Sequence, residues 1–265
     1  MKKQIRLDKY LSECSKESRS EVKNWLKKGR VTVNGQKEKD PGRKVIPLED
    51  EICLDGIRLH LVQFHYLMMH KPAGLICATR DDREKTVLDL VMEQDWSQDP
   101  FGMAIYGKVA PVGRLDKDTE GLLLLTDDGD LAHRLLSPKK HVNKCYYAIL
   151  DGPIGEEEIR AFEEGLDIGD EKKTMPALLE DLSTSSVDSF TDLATCDKDI
   201  EGYGVLIHIK EGRYHQVKRM AKAVGREVLY LKRLSMGSLL LDLHLKKGQC
   251  RPLTEEEIQE LQKNS

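Results

Sequence analysis

The amino-acid sequence predicts an α+β protein with a small N-terminal α/β domain and a larger C-terminal domain. Residues 1–60 contain two helical patterns and a strand that enters a tight turn, whereas the rest of the chain mixes apolar strands with a few helices. Charge divides at a similar point: residues 1–44 hold 14 Lys and Arg against 6 Asp and Glu, and the remaining residues hold 28 against 40. We therefore expect a basic module over residues 1–60, a linker over 61–65 and an acidic domain over 66–265.

The basic module is predicted to contain two short helices and a hairpin. Apolar residues recur at helical spacing over residues 7–14, which indicates an amphipathic helix. A second helix begins after Ser18, a favourable N-cap with Glu21 three residues later, and ends at Gly29. Residues 31–35 read VTVNG, a strand followed by an Asn-Gly turn. The module should therefore fold as a helix pair with a small sheet.

The larger domain is organised around a strand of four leucines. Residues 113–130 read GRLDKDTEGLLLLTDDGD, and the leucine run at 122–125 is bounded by Gly and turn residues. Such a run suits a strand that is buried on both faces. The loop that carries Asp116 directly precedes this strand, so the core should hold the loop still.

Three interpretations of the Asp116 loop follow from its own residues. The first is a turn in which Asp and Arg form a solvated ion pair, which would contribute little. The second is a calcium loop, because acidic residues from Asp116 to Asp127 fall at EF-hand positions, although four intervening positions are leucines that a metal loop would not expose. The third makes Asp116 a catalytic carboxylate on a rigid scaffold. The loop alone leaves all three open.

Further strands and helices are predicted on both sides of this loop. Strands are expected at residues 66–70, 144–150 and 205–209, with other short strands between 175 and 210, and helices are expected from residue 87 and at residues 131–136, 156–165 and 214–224. Residues 94–108 are predicted to form a long loop. The 214–224 helix has one apolar and one basic face, and its N-terminal donors together with those cations suit phosphate or carboxylate, although a basic face often contacts only solvent.

Several function classes are disfavoured by what the sequence lacks. The six cysteines are widely spaced without a CxxC pair, so we expect reduced thiols and no metal site. No P-loop, GxGxxG, HExxH or GxSxG pattern occurs, so no cofactor is expected. No apolar run approaches the roughly 20 residues of a membrane span, and the first residues, MKKQIRLDKYL, lack the apolar stretch typical of a signal peptide. We expect a cytoplasmic monomer with no membrane partner.

The basic module resembles the small RNA-binding domain named after ribosomal protein S-four. The matching text is RLDKYLSE followed by SRSEVKNWLKKGRVTVNG, within residues 3–50. Cations against phosphates supply affinity without sequence information, so such a module would position RNA rather than select a base. The resemblance implies an RNA-binding face formed by Arg6, Lys9, Arg19, Ser20, Lys23, Lys28 and Arg30.

The larger domain resembles the RNA pseudouridine synthases, and within them the ribosomal small-subunit branch. Four blocks match in order: HKPAG at 70–74, the stretch at 113–130, KCY at 144–146 and EGRYHQVKRM at 211–220. The resemblance implies a mixed, largely antiparallel sheet with flanking helices. It also implies a cofactor-independent isomerase that converts a uridine of 16S ribosomal RNA to pseudouridine, and we expect it to meet that RNA in a small-subunit assembly particle.

The same resemblance implies roles for individual residues. Asp116 matches the family's essential aspartate, Tyr146 the tyrosine that stacks on the base, and Lys218 the basic residue that pairs with the aspartate. A cation beside Asp116 would keep it ionised, and an aromatic face would hold an extruded base. Substrate-binding residues are expected at Arg114, Arg213, His215, Gln216 and Arg219.

Other hypotheses stay open at this point. A large-subunit (23S) pseudouridine synthase would share the chemistry and differ in its target. A non-catalytic ribosome-binding or assembly factor would use the basic module alone, and a metal-dependent nucleic-acid enzyme would use Asp116 with Asp118. Two features depart from the family pattern: Glu120 stands where a small residue is common, and residues 95–108 have no obvious counterpart, so the role of that loop is open.

Overall fold

The computed structural model of the chain describes residues 4–15, 17–47, 49–59, 64–96, 108–182, 190 and 192–263. The chain divides into two compact units, Met1–Gln63 and Phe64–Ser265. Most of the predicted linker, residues 61–63, lies outside the described residues, and so does most of the predicted loop at 95–108. The domain boundaries at 60 and 66 stay a prediction.

The N-terminal unit contains two helices and six short strands in its described residues. The helices are α1 (Leu7–Ser15) and α2 (Arg19–Lys27), and the strands are β1 (Ile5–Arg6), β2 (Val31–Val33), β3 (Gln36–Lys37), β4 (Lys44–Val45), β5 (Ile52–Leu54) and β6 (Ile57–Arg58). Strands pair in the order β3-β2-β5-β6, and β1 pairs with β4. The apolar faces of both helices pack on β2, β4 and β5 around the buried Trp25 and Leu26.

The helix cap and the hairpin turn that the sequence predicts in this unit are both present. The Ser18 hydroxyl accepts a hydrogen bond from the Glu21 amide at 3.2 Å and so caps α2. Asn34 and Gly35 both have positive φ, 54° and 77°, which is the geometry of a two-residue hairpin turn. The predicted helix pair and hairpin are therefore confirmed.

The C-terminal unit is built on a nine-stranded mixed sheet. Its strands are β7 (Tyr66–Lys71), β8 (Ala110–Pro111), β9 (Glu120–Thr126), β10 (Lys144–Leu150), β11 (Leu178–Asp181), β12 (Tyr203–Ile209), β13 (Val228–Met236), β14 (Leu239–Leu240) and β15 (Cys250–Pro252). The main order is β11-β12-β10-β13-β9-β7-β15, with β14 on β13 and β8 on β9. Every pair is antiparallel except β9 with β13. The expected largely antiparallel sheet is confirmed.

Five helices flank this sheet in the described part of the unit: α3 (Val87–Glu93), α4 (Gly129–Leu136), α5 (Glu156–Glu164), α6 (Gln216–Ala223) and α7 (Glu255–Lys263). Both faces of the sheet are covered, because Leu123 and Leu125 of β9 enter one core cluster while Leu122 and Leu124 enter the other. The strand buried on both faces is therefore confirmed. Among the described helices, none is long and apolar enough to cross a bilayer.

The prediction that a helix begins at residue 214 is wrong by one half-turn. Helix α6 begins at Gln216, because His215 takes a left-handed conformation with φ of 48°. The Gln216 carboxamide oxygen accepts a hydrogen bond from the Arg213 amide at 2.9 Å and closes the turn before the helix. Helical periodicity did not reveal this turn, and its consequence is that Tyr214 stands outside the helix.

Gly121 brings the Asp116 loop down onto the sheet. It pairs with Arg233 at the parallel junction of β9 and β13 and has φ of 101°. A Cβ atom at this position would lie 2.2 Å from the Arg233 carbonyl oxygen, which no side chain can tolerate. Only glycine therefore allows β9 to pair with β13 at this position. This pairing fixes the position of the Asp116 loop, which directly precedes β9.

Glu120, the residue that departs from the family pattern, lies in a buried ion cluster. Its carboxylate is 2.5 Å from Lys247 Nζ and 3.0 Å from Lys198 Nζ, and it accepts a hydrogen bond from the Tyr230 hydroxyl at 2.8 Å. Tyr230 belongs to the core cluster on the sheet face opposite to that of Tyr146. The Glu120 side chain thus makes its contacts on the sheet face that carries Tyr230, not on the face that carries Tyr146.

This cluster predicts a pH-dependent contribution to stability. Burial raises the pKa of Glu120, but the hydrogen bonds from Lys247, Lys198 and Tyr230 outweigh it and leave that pKa below its usual value. A carboxyl whose pKa is lower in the folded state stabilises that state above its unfolded pKa, and this stabilisation is lost as the pH falls through the folded pKa.

We therefore expect Glu120→Gln to lower the free energy of unfolding near neutral pH by about 1–3 kcal/mol, because the Tyr230 hydroxyl and two partly exposed lysines lose their charged acceptor. The difference from wild type should shrink once the solution is more acidic than the folded pKa of Glu120. Urea unfolding at neutral and acidic pH measures both values. Glu93→Gln, which breaks an exposed pair with Lys85, serves as the control and should change little. An equal decrease in the free energy of unfolding at both pH values would contradict a stabilising role for the Glu120 charge.

Candidate active site

A cleft of about 590 Å³ lies on the sheet face that carries Tyr146. The loop of residues 113–119 forms one wall, and the turn before α6 forms another. The floor is formed by side chains of β10 and β13, including Tyr146 and Leu231. The three sequence blocks around Asp116, Tyr146 and Lys218 therefore meet in one place, although up to about 100 residues separate them in the chain.

Lys71 holds the Asp116 loop in place. Its ammonium group is buried and donates to the carbonyl oxygens of Asp116 at 3.1 Å, Lys117 at 3.3 Å and Thr119 at 2.9 Å, as well as to its neighbour Pro72 at 3.1 Å. The Gly74 amide donates to the Lys117 carbonyl at 2.7 Å. The HKPAG block therefore fixes the backbone of the loop, a role that the sequence did not reveal.

Asp116 projects from this fixed loop into the cleft and is partly exposed. Its Oδ1 lies 3.4 Å from His215 Nε2, and its Oδ2 lies 3.5 Å from Lys218 Nζ. The carboxylate thus faces a lysine and an imidazole, both carried by the α6 region. This arrangement leaves an acceptor group open to a ligand in the cleft, with positive charge beside it.

Lys218 makes its shorter contacts with a second carboxylate. Its Nζ donates to Asp118 Oδ1 at 2.6 Å and Oδ2 at 2.8 Å, so it bridges Asp118 and Asp116. Partial desolvation raises the pKa of Asp118, but the hydrogen bond with Lys218 outweighs it and leaves the pKa below its usual value. The predicted pairing of Lys218 with Asp116 is present as the longer of two contacts.

Tyr146 lies on the cleft floor, on the same sheet face as two buried cations. Tyr146 is in register with Arg233 of β13, and Lys144 precedes it by two residues on the same strand, so their side chains share a face. Lys144 and Arg233 are 6% and 2% exposed. The alternation of side chains along a strand is the sequence signal that puts Lys144 on the same face as Tyr146.

These two floor cations have few partners. Lys144 Nζ donates to the Val142 carbonyl at 3.0 Å, and Arg233 Nε donates to the Leu122 carbonyl at 2.8 Å. Within the described residues, Arg233 Nη2 is buried without a hydrogen-bond partner. Burial and the charge of Arg233 lower the pKa of Lys144 to about 8. The floor therefore suits an oxygen-rich group that accepts hydrogen bonds.

Arg213 and Gln216, two predicted substrate-binding residues, make internal contacts. Arg213 donates to Glu211 at 3.0 Å and to the carbonyls of Lys172 at 2.6 Å and Lys173 at 2.8 Å. Gln216 is buried and donates to Glu211 at 3.1 Å. Both side chains border the cleft while they fix its rim, and their contact with substrate stays a prediction.

The other three predicted substrate-binding residues differ in their surroundings. Arg219 donates to the Ile168 carbonyl at 3.0 Å and to Asp170 at 2.5 Å, so it also braces the rim. Arg114 is exposed at the cleft, and its guanidinium has no hydrogen-bond or ion-pair partner among the described residues. His215 stacks on Tyr214, with ring centroids 3.8 Å apart.

The geometry excludes the calcium-loop interpretation. Such a loop would turn the carboxylates of Asp116, Asp118 and Glu120 toward one ion. Instead, Glu120 is engaged with lysines on the far side of the sheet, and the leucines that follow form β9. Within the described ranges, no group of three His, Cys, Asp or Glu side chains is arranged to hold a metal ion.

The predicted RNA-binding residues of the N-terminal unit fall into two groups. Three have acidic neighbours: Arg6 contacts Asp8, Lys9 contacts Glu13, and Arg30 contacts Asp55. The other four are exposed on or just after α2: Arg19, Ser20, Lys23 and Lys28. The second group forms an accessible basic surface, and RNA contact by either group stays a prediction.

Comparison with known proteins agrees with both halves of this description. Residues 65–223 match the RNA pseudouridylate synthase family, and residues 5–52 match the S4 domain. A crystal structure described as a pseudouridylate synthase superposes with a TM-score of 0.60 at 36% identity, covering 97% of this chain and 99% of that chain.

Relatives align over nearly the whole chain. The uncharacterized RNA pseudouridine synthase YtzG of Bacillus subtilis (strain 168) is 45% identical, with 96% of this chain and 97% of the relative covered. Ribosomal small subunit pseudouridine synthase A is 40% identical in Pasteurella multocida (strain Pm70) and 36% identical in Escherichia coli (strain K12), with 96% of this chain and 98% of each relative covered. The chain therefore belongs to the RNA pseudouridylate synthase family.

Proposed function

We propose that the protein converts a specific uridine of small-subunit (16S) ribosomal RNA to pseudouridine. The observation that carries this proposal is the carboxylate of Asp116, which lies in the cleft beside two basic side chains at 3.4 and 3.5 Å. The choice of RNA is supported by relatives named ribosomal small subunit pseudouridine synthase A. Family membership supports the reaction itself.

The chemistry is an isomerisation that needs no external reactant. The bond from the sugar carbon C1′ to N1 of the base breaks, a bond from C1′ to C5 forms, and the proton lost from C5 is balanced by one gained at N1. Asp116 acts on the target nucleoside as nucleophile or base while the base is detached, and Lys218 Nζ lies 3.5 Å from its carboxylate. Because atoms and electrons balance within the nucleotide, the proposal includes no cofactor.

The cleft floor supplies a place for the detached base. A uridine must leave its stack to be modified, which costs a few kcal/mol, and the Tyr146 ring offsets part of that cost by stacking on the base. Uracil presents two carbonyl oxygens, and the nearby Lys144 and Arg233 present hydrogen-bond donors. The floor cations thus suit a base that carries an extra electron pair while its bond to the sugar is broken.

The N-terminal unit is assigned to positioning the ribosomal RNA. Its match to the S4 domain and the exposed basic surface on α2 support this assignment. Phosphate contacts fix register and orientation without reading bases. The working form in this proposal is a monomer in the cytoplasm that acts on a small-subunit assembly particle.

Pseudouridine mapping of both ribosomal RNAs tests the proposed function. RNA is compared between cells with the protein, cells without it, and deletion cells complemented by wild type. We expect one small-subunit uridine to lose its modification in the deletion and regain it with wild type. Loss of a modified uridine from large-subunit RNA instead would support the same reaction on a different target RNA. No change in either RNA would overturn the proposal and favour a non-catalytic ribosome-binding factor.

Removal of the N-terminal unit should weaken RNA binding and flatten its salt dependence. A protein that begins at Phe64 lacks the exposed cations of α2, and the slope of log K against log salt falls by about 0.7–0.9 for each phosphate that is no longer neutralised. Binding of ribosomal RNA at several salt concentrations gives the slope for both proteins. The full-length chain with Arg19, Lys23 and Lys28 changed to alanine should lie between them. An unchanged slope in the truncated protein would contradict the assignment.

A further inference from the structure

Tyr214 is the most exposed aromatic side chain among the described residues, with 71% of its surface accessible. It lines the cleft just before α6. A large ring that is mostly in water on the wall of a cleft offers an aromatic face to a ligand. The family pattern assigned no role to this residue, and neither the floor nor the Asp116 loop uses it.

The ring of Tyr214 is backed by that of His215. Their centroids lie 3.8 Å apart and their planes differ by 19°, so one face of the tyrosine is covered and the other is open. The pair resembles the beginning of a stack, to which one more flat ring can be added on the open side.

The backbone around this pair is fixed. His215 has φ of 48°, a left-handed conformation that costs free energy for a residue with a Cβ atom and that persists only when its surroundings enforce it. The Tyr214 carbonyl accepts a hydrogen bond from Arg219 Nη1 at 3.1 Å. Both constraints hold the stacked pair at the cleft instead of letting Tyr214 continue the helix.

The stacked pair also lies close to the reactive carboxylate. His215 Nε2 is 3.4 Å from Asp116 Oδ1, so only one ring separates Asp116 from Tyr214. A group stacked on the open face of Tyr214 would be separated from Asp116 by two rings, which is within reach of the nucleotide next to one that Asp116 contacts. In an RNA strand, such a position belongs to a nucleotide adjacent to the target.

We propose that Tyr214, backed by His215, is a stacking platform for the base that neighbours the target uridine in the RNA strand. The proposal rests on the proposed function, since it takes RNA as the ligand. Every nucleobase has a flat π-face, so the platform selects an unpaired strand rather than a sequence. Its effect is to hold the strand open while the target uridine occupies the floor beside Tyr146.

The test measures binding of a stem-loop RNA that carries the mapped uridine, with full-length Asp116→Asn protein as the starting point so that no turnover occurs. Tyr214→Ala should weaken binding by about 5- to 150-fold, the range that 1–3 kcal/mol per stacked base gives. Tyr214→Phe keeps the ring and should bind as the starting protein does. Tyr203→Ala, at a tyrosine that is 49% exposed on β12, is the matched control and should change little.

A double-mutant cycle then tests the partner. RNAs with an abasic site on the 5′ or the 3′ side of the target are bound to Asp116→Asn protein with and without Tyr214→Ala. One abasic RNA should lose as much affinity as Tyr214→Ala does, and combining the two changes should cost little more. Additive losses with both abasic RNAs, or a loss equal to that of Tyr203→Ala, would overturn the platform.

Turnover of the intact RNA by wild-type protein runs in parallel. If wild type forms pseudouridine but the losses of RNA affinity are additive, only the stacking platform is contradicted. If wild type forms no pseudouridine, the proposed function itself is contradicted. Under the platform hypothesis, Tyr214→Ala in the otherwise wild-type chain should slow single-turnover conversion at subsaturating protein and Tyr214→Phe should not. A merely structural role for the ring would not distinguish the two abasic RNAs.

Discussion

Asp116→Asn should abolish pseudouridine formation while the protein stays folded and bound to RNA. Asparagine keeps the size of the side chain but removes its negative charge and its ability to act as nucleophile or base. The side chain is partly exposed and the loop is held through backbone carbonyls, so the substitution leaves the fixing contacts intact. We expect the rate constant to fall by at least about 1,000-fold, or about 4 kcal/mol of transition-state stabilisation.

Single-turnover conversion of the target RNA measures this loss, and RNA affinity and thermal unfolding are measured on the same preparation. Unchanged affinity with no product would locate the defect in the chemical step. In cells, complementation of the deletion with Asp116→Asn should leave the target uridine unmodified. Normal conversion by this variant would mean that another group acts on the nucleoside.

Asp118→Asn is the matched control because it removes the other carboxylate that Lys218 contacts. Asp118 is 72% exposed and lies two residues away on the same loop. Its loss frees Lys218 to move toward Asp116, so we expect activity within about tenfold of wild type. An inactive Asp118→Asn together with an active Asp116→Asn would reverse the two assignments. Activity of wild type in the presence of a chelator would separately remove the metal-dependent hypothesis.

The sequence predicted the fold well where the signal was local. The leucine run, the Asn-Gly turn and the Ser18 cap each depend on a few adjacent residues, and each has the expected structure. The family blocks then brought Asp116, Tyr146 and Lys218 to one cleft. Side chains alternate between the two faces of a strand, and this alternation puts Lys144 on the same face as Tyr146.

What the sequence could not provide are contacts between distant segments. Lys218 contacts both Asp116 and Asp118. Nothing in the sequence of the helix that carries Lys218 indicates that Asp118 is the nearer one. Arg213 satisfies carbonyls about 40 residues away, so a residue expected to contact substrate also fixes the rim. The left-handed His215 depends on its stacking and on the turn before it, which no periodicity encodes.

Lys71 is the clearest case of such a distant contact, and its replacement should have the largest effect on stability. A methionine at this position has a similar length but donates no hydrogen bond. Four carbonyl oxygens would lose the ammonium donor, and among the described residues only those of Asp116 and Lys117 would keep a backbone donor, from the Thr119 and Gly74 amides. We expect Lys71→Met to lower the free energy of unfolding by about 3–5 kcal/mol and the melting temperature by roughly 10 °C.

Lys117→Met is the control, because Lys117 lies on the same loop but pairs through an exposed side chain with Glu84 at 2.6 Å. Its free energy of unfolding should stay within about 0.5 kcal/mol of wild type. Urea and thermal unfolding compare the two variants directly. A Lys71→Met protein as stable as Lys117→Met would show that the loop does not depend on the buried ammonium.

Activity separates this role from general stability. At a temperature where Lys71→Met is still folded, we expect slower single-turnover conversion with nearly unchanged RNA affinity, because Lys71 fixes the backbone that carries Asp116 but is enclosed by protein carbonyls. A misplacement of about 1 Å at the reacting group costs on the order of 100-fold in rate. Full activity in the folded variant would mean that β9 and Gly121 alone hold the loop. A loss confined to the chemical step would make Lys71 the residue that links the HKPAG block to the reactive carboxylate.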